Sequence, residues 1–206
     1  MTKALQEKQM IRAERRQLQI MEAAAKCFVR SGFAKTTMAD IALQARLSKP
    51  VLYTYFENKE AIVATLEREL VNRWTQATRL PQKVEHGEYS AAIVGSFKAS
   101  FDFFFSQPIL REFFVTQANL FLVGHDSVIA TAISRVRDRL ADFITKGQAA
   151  GELRSEIDPR AMAELLRLLH VAVLDHNAAS RTDDAAPDRN LADLSLDMTQ
   201  RTLSGA

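Results

Sequence analysis

Four histidines, His86, His125, His170 and His176, are the first candidates for acid–base or metal chemistry, and their spacing supports neither. His170 and His176 are six residues apart, which puts them on different faces of a helix. No Gly-rich phosphate loop is present. Cys27 follows an apolar helical stripe next to Phe28, which reads as an inert core thiol. The pair Asp183-Asp184 reads as solvated loop. No catalytic constellation, metal site or cofactor is therefore expected. What remains is a group of cations and phenols in "SKPVLYTYFENKE", residues 48–60: Lys49, Tyr53, Tyr55 and Lys59. Such side chains hydrogen-bond phosphate oxygens and base edges. Between Lys35 and Phe56 the only acid is Asp40.

The elements around this group must hold it in place. Thr37 followed by Asp40 approximates a capping box that opens a short helix carrying Met38, Ile41, Ala42 and Ala45. After the turn "RLS", Ser48 can act as N-cap, and Pro50 falls in the first turn, where its missing N–H costs nothing. Leu52 and Phe56 then face inward, while Pro50, Val51 and Thr54 face out. Val51, Tyr53, Tyr55 and Phe56 favour strands, but packing on the preceding helix overrides that preference. Two short helices on either side of a three-residue turn, the second with a non-acidic outer face, have helix-turn-helix geometry. In that geometry the second helix enters a major groove.

Charge supports this reading. Residues 1–56 hold ten Lys and Arg against four acids, a local excess of six. The chain total of +2 leaves −4 for the rest. A basic head on an acidic body suits a polyanion at one end. The 206 residues are enough for a large domain, with 25% charged and 47% apolar content. Such a composition is that of a soluble protein. One cysteine suits a reducing cytoplasm. The amino terminus "MTKALQEKQM" has no apolar signal core, and no apolar run is long enough to span a membrane. Helical periodicity covers nearly the whole chain. Helices are expected at 10–31, around 38–45, 49–56 and 58–78, then at 89–106, 109–123, 126–150, 159–179 and 188–203. The linker "RLPQKVEHGE" occupies 79–88. The expected fold is all-α: a three-helix head and a larger helical bundle, about nine helices in all.

From Ile20 to Leu66 the sequence resembles the TetR family of bacterial transcriptional regulators. The family's pairs occur in order: Gly32-Phe33, Thr36-Thr37, Ile41-Ala42, Ser48-Lys49, Leu52-Tyr53, Tyr55-Phe56 and Lys59-Glu60. The resemblance implies a DNA-binding domain over 1–58 and a ligand-binding and dimerisation domain over 59–206. It implies DNA contacts at the positions of Thr37, Lys49, Tyr53 and Lys59. Two positions depart from the pattern. Arg46 stands where the turn usually has glycine, which calls for either a strained left-handed residue or a different turn. Arg46 is a candidate phosphate contact. Pro50-Val51 replaces Gly-Thr and presents an apolar surface suited to a thymine methyl.

The second half resembles the family only in helix count and layout. Eight of its phenylalanines lie between 97 and 121. For any one of them core packing is the simpler account. The resemblance implies a pocket for an apolar effector, with Phe101, Phe104, Phe105, Phe114 and Phe121 as candidate lining and Gln117 or His170 as polar contacts. The helix at 159–179 is apolar nearly all round and must be buried on several sides. Leu166, Leu169 and Val173, with Leu194 and Met198 of the next helix, are the expected four-helix dimer interface. The reading is a cytoplasmic, homodimeric regulator, released from a pseudo-palindromic double-stranded operator by an apolar small molecule. The alternative is a helical small-molecule-binding protein, or an enzyme, without operator binding.

Overall fold

The computed structural model describes residues 3–106, 128–179 and 188–204. These form eight helices: α1 (Lys3–Ser31), α2 (Met38–Gln44), α3 (Lys49–Tyr53), α4 (Lys59–Ala77), α5 (Tyr89–Phe105), α6 (Val128–Ala149), α7 (Pro159–Ala179) and α8 (Arg189–Ser204). No strand occurs among the described residues. The expected helix at 109–123 lies outside them, as do Phe114, Gln117 and Phe121. α1 begins at Lys3 rather than at residue 10. Its described residues before Gln19 are exposed, so apolar periodicity does not mark the first turns.

Several helix starts have a local cause. Asn58 caps α4 by accepting the Ala61 N–H at 2.8 Å. Asp158 and Asp188 cap α7 and α8 in the same way. α5 has no cap of its own. The Glu152 carboxylate, from the loop after α6, accepts the Tyr89 N–H at 3.2 Å. Backbone N–H donation, first from Gly87 and then from Tyr89, together with His86 beside it, holds that carboxyl below the usual range.

Three apolar clusters organise the described residues. The first joins Ile20, Ala24 and Phe28 of α1 to Ile41, Leu52, Phe56 and Ile62. Ile62 belongs to α4, so α4 is rooted in the head's core although it leads into the bundle. The second joins Ile93 of α5, Leu140 and Ile144 of α6, Met162 and Leu166 of α7, and Leu203 of α8. The third gathers Phe101, Val173 and Ala192, with Phe105 and Leu174 against them. α4 packs on α1, on α5 and on α6, and is thus the element that links head and bundle.

Candidate nucleic-acid interface

The turn between α2 and α3 decides how α3 is presented. Thr37 and Asp40 form a full capping box. Asp40 N–H donates to Thr37 Oγ1 at 3.2 Å, and Thr37 N–H to Asp40 Oδ2 at 2.9 Å. The hydrogen bonds from Thr37 hold the Asp40 carboxyl below its usual range, so it is ionised and committed to the cap. At the other end, Leu47 N–H donates to Ala42 O at 2.9 Å and Arg46 N–H to Leu43 O at 3.0 Å. That pair of bonds is a Schellman motif. Its left-handed residue is Arg46, with φ 55 degrees. Of the two alternatives for the missing glycine, the left-handed one holds. Gln19 of α1 reaches across and donates to Ala45 O at 2.7 Å. That bond satisfies a terminal carbonyl of α2. Nothing in the sequence marks Gln19, because its partner is 26 residues away.

α3 buries Leu52 completely and exposes Lys49, Pro50, Val51, Tyr53 and Thr54 on its outer side. Thr54 Oγ1 donates back to Val51 O at 2.7 Å. Tyr55 is only half exposed, because its ring packs against the first core. Ser48 sits at the N-cap with extended backbone, but its hydroxyl makes no capping bond, contrary to expectation. Thr37 and Arg46, at the starts of α2 and of the turn before α3, are exposed as well.

Lys59 requires a correction. Its ammonium donates to Phe33 O at 2.7 Å, Thr36 O at 3.1 Å and Ala34 O at 3.3 Å, and lies 4.4 Å from the centroid of the Phe33 ring. An ammonium has three donors, and all three are spent on the α1–α2 turn. Lys59 is therefore a clasp between the first residue of α4 and that turn, and not an open phosphate contact. Sequence spacing could not show this, because the three carbonyls lie 23 to 26 residues away.

Two further groups of expected residues are also sorted by burial. Leu166 and Val173 are only 2% and 3% exposed and face the subunit's own core, which removes them from any interface. Leu169 is half buried. The exposed apolar side chains of α7 and α8 are Leu165 (57%), Leu168 (51%), Leu194 (54%) and Met198 (49%). A helix apolar all round does not reveal which stripe faces inward, and on α7 the outward stripe lies one residue out of phase with the expected one. Of the effector candidates, Phe101 and His170 are buried core. The imidazole lies 4.2 Å from the Phe101 ring, and Phe101 stacks on Phe105 at 5.9 Å. His170 Nε2 is 2.8 Å from Ser100 Oγ, which also accepts the Trp74 indole N–H at 2.9 Å. Burial holds the imidazole pKa down at about 3, so it is neutral. Phe104 is half buried, edge-on to Phe103. Cys27 is buried, and burial raises its pKa, as befits an inert thiol. No group of three or more His, Cys, Asp or Glu among the described residues is placed to hold a metal. No helix among them is long and apolar enough to cross a membrane.

Residues 20–66 match the family model for bacterial regulatory proteins of the tetR family, which is the segment just described. The fatty acid metabolism regulator protein of Bacillus subtilis (strain 168) is 22% identical over 151 residues, 72% of this chain and 76% of its own. The HTH-type transcriptional regulator TtgR of Pseudomonas putida is 41% identical over 54 residues, 26% of either chain. Among solved structures, the SmeT–triclosan complex superposes with a TM-score of 0.73 at 19% identity, covering 92% of this chain and 91% of that one. That identity speaks for the fold alone. The capped turn, the exposed face of α3 and the match over the head lead to one assignment: residues 20–66 are a helix-turn-helix segment of the tetR family of bacterial regulatory proteins.

Proposed function

We propose that the protein is a homodimeric repressor that leaves a pseudo-palindromic operator when a small molecule with a substantial apolar part binds its helical body. The observation that carries the operator reading is the outer face of α3. It is exposed, free of acids and follows a helix, α2, that is fixed at its start by the capping box and at its end by the Schellman bonds. Lys49, with Arg46 in the turn and Thr37 at the start of α2, would meet phosphates. Tyr53 and Thr54 would meet phosphates or base edges, and Pro50 and Val51 a thymine methyl. Tyr55 would act at the margin, where its half-exposed ring ends.

One α3 per subunit implies two half-sites about one helical turn of DNA apart, and hence a dimer. Leu165, Leu168, Leu194 and Met198 form the apolar surface that a second copy would cover as a four-helix contact. One solved neighbour, SmeT, supports both parts of this reading: it is described in complex with triclosan, which favours ligand response, and as the repressor of a multidrug efflux pump of Stenotrophomonas maltophilia, which favours repression.

The test is an equilibrium binding titration on the DNA upstream of the protein's own gene, at several salt concentrations. Saturable binding two or more decades tighter than to an unrelated duplex is expected. Equal affinity for both duplexes would exclude a specific operator there.

A further inference from the structure

Away from the head, α4, residues 79–82, α5 and α6 enclose a cleft of about 450 Å³. That volume lies within the range of small-molecule sites. Its inner wall is apolar, formed by Phe97, Leu140 and Phe143 in front of the fully buried Ile93. Three of the hydroxyls among these walls are already used: Ser96 Oγ donates to Thr78 O at 2.7 Å, Thr78 Oγ1 to Trp74 O at 2.9 Å and Thr75 Oγ1 to Asn72 O at 3.0 Å. Besides the Gln82 amide and the Tyr89 phenol, the remaining polar groups are charged. Arg79, Arg139 and Lys146 line the cleft against a single carboxylate, Asp142. None of the four is in an ion pair among the described residues. Asp142 is one helical turn from both Arg139 and Lys146 and pairs with neither.

A cation at a helix carboxyl end stabilises the helix by itself. That accounts for Arg79, just past α4, and for Lys146, in the last turn of α6. It does not account for Arg139, which lies in the middle of α6 with one donor on Arg135 O. Nor does it account for three unpaired cations gathered at one apolar recess.

We propose that this cleft binds an amphipathic anion: a carboxylate held by Arg79, Arg139 and Lys146, with its hydrocarbon body against Phe97, Leu140 and Phe143. The role of that anion as effector rests on the ligand-responsive reading above, whereas its binding does not. The cleft is walled on one side by Thr75, Thr78 and Arg79, at the far end of the helix whose first residue clasps the head. Occupancy that shifts this end of α4 is transmitted to the α1–α2 turn through Lys59.

The experiment is calorimetric titration of the intact protein with decanoate, decanol and decyltrimethylammonium below their aggregation concentrations. Decanoate is expected to bind roughly tenfold more tightly than decanol or the ammonium, from several exposed charge contacts of about twofold to fivefold each. Arg139→Gln and Lys146→Gln should each weaken decanoate by about twofold to fivefold and leave decanol unchanged. Asp142→Asn should tighten decanoate by a similar factor, a change that loss of folding cannot produce. Equal affinity for decanoate and decanol, or decanoate binding indifferent to Arg139→Gln and Asp142→Asn alike, overturns the proposal. The operator titration on the same samples keeps the two readings apart. Selective decanoate binding without operator binding excludes a specific operator on that DNA and leaves the cleft standing. Selective binding that leaves operator affinity unchanged removes the effector role alone.

Discussion

Replacing Lys59 by methionine keeps most of the length and apolar stem of the side chain and removes its three donors. In the structure those donors meet Phe33 O, Thr36 O and Ala34 O, and the charge lies over the Phe33 ring. A hydrogen bond to a charged group is worth roughly 1.5–3 kcal/mol. Lys59 is half exposed, and its carbonyls can rehydrate, so the three together are taken as about 2 kcal/mol. The ring contact adds about 0.5 kcal/mol at an exposed site. A loss of about 2–3 kcal/mol lowers the melting temperature of a chain of this size by roughly 5–10 °C. The head should loosen first, since the clasp joins α4 to the α1–α2 turn. Operator affinity falls with it, but the number of neutralised phosphates does not change. The slope of log affinity against log salt should therefore match wild type. Lys49→Gln is the counterpart: an unchanged melting temperature with a slope shallower by about 0.9, the share of one phosphate. The assays are differential scanning calorimetry and fluorescence anisotropy over a salt series. A Lys59→Met protein with wild-type melting temperature and a slope shallower by about 0.9 would refute the clasp and restore the phosphate contact.

Further outcomes follow from the same geometry. Arg46 is left-handed. Its replacement by glycine relieves about 1–2 kcal/mol of backbone strain. The added chain entropy of glycine offsets roughly 0.5–1 kcal/mol of that. Urea unfolding of Arg46→Gly should show a net gain of about 0.5–1 kcal/mol. A loss would mean that the Arg46 side chain is itself stabilising. His170 binds its proton in the folded protein only near pH 3, against 6.5 ordinarily. Between those values the unfolded chain holds the proton, so His170 costs nothing above about pH 6.5. Its contribution to stability falls with decreasing pH by up to about 1.4 kcal/mol per unit. His170→Gln should flatten that part of the stability profile, and an identical slope in the variant would show the histidine to be accessible. Leu168→Asp and Leu194→Asp lie on exposed positions and should leave a folded, monomeric protein by light scattering and circular dichroism. Leu166→Asp places an unpaired charge in the core and should unfold the subunit. A wild-type protein already monomeric at micromolar concentration contradicts the dimer.

Local physics is enough for the all-α class, for the position of nearly every described helix and for the two helices and turn of the head. Thr37 with Asp40, Pro50 after Ser48, Asn58 and Asp158-Pro159 act within one helical turn, and apolar periodicity marks which side of α3 faces the core. The pair of alternatives at Arg46, left-handed or a different turn, is legible too, but the folded turn decides between them in favour of the left-handed residue. Whatever depends on a partner distant along the chain had to await folding. Lys59 belongs to the α1–α2 turn, and not to a phosphate, because folding brings carbonyls 23 to 26 residues away within reach of its ammonium. Gln19 closes α2 for the same reason. Leu165 and Leu168, and not Leu166 and Val173, face outward. The phase of an all-apolar helix is set by the helices it meets and not by its own pattern. His170 is neutral core because Phe97 and Phe101 close over it. Arg79, Arg139 and Lys146 share one recess only because α4 and α6 pack side by side, so that charges far apart in sequence line the same apolar walls.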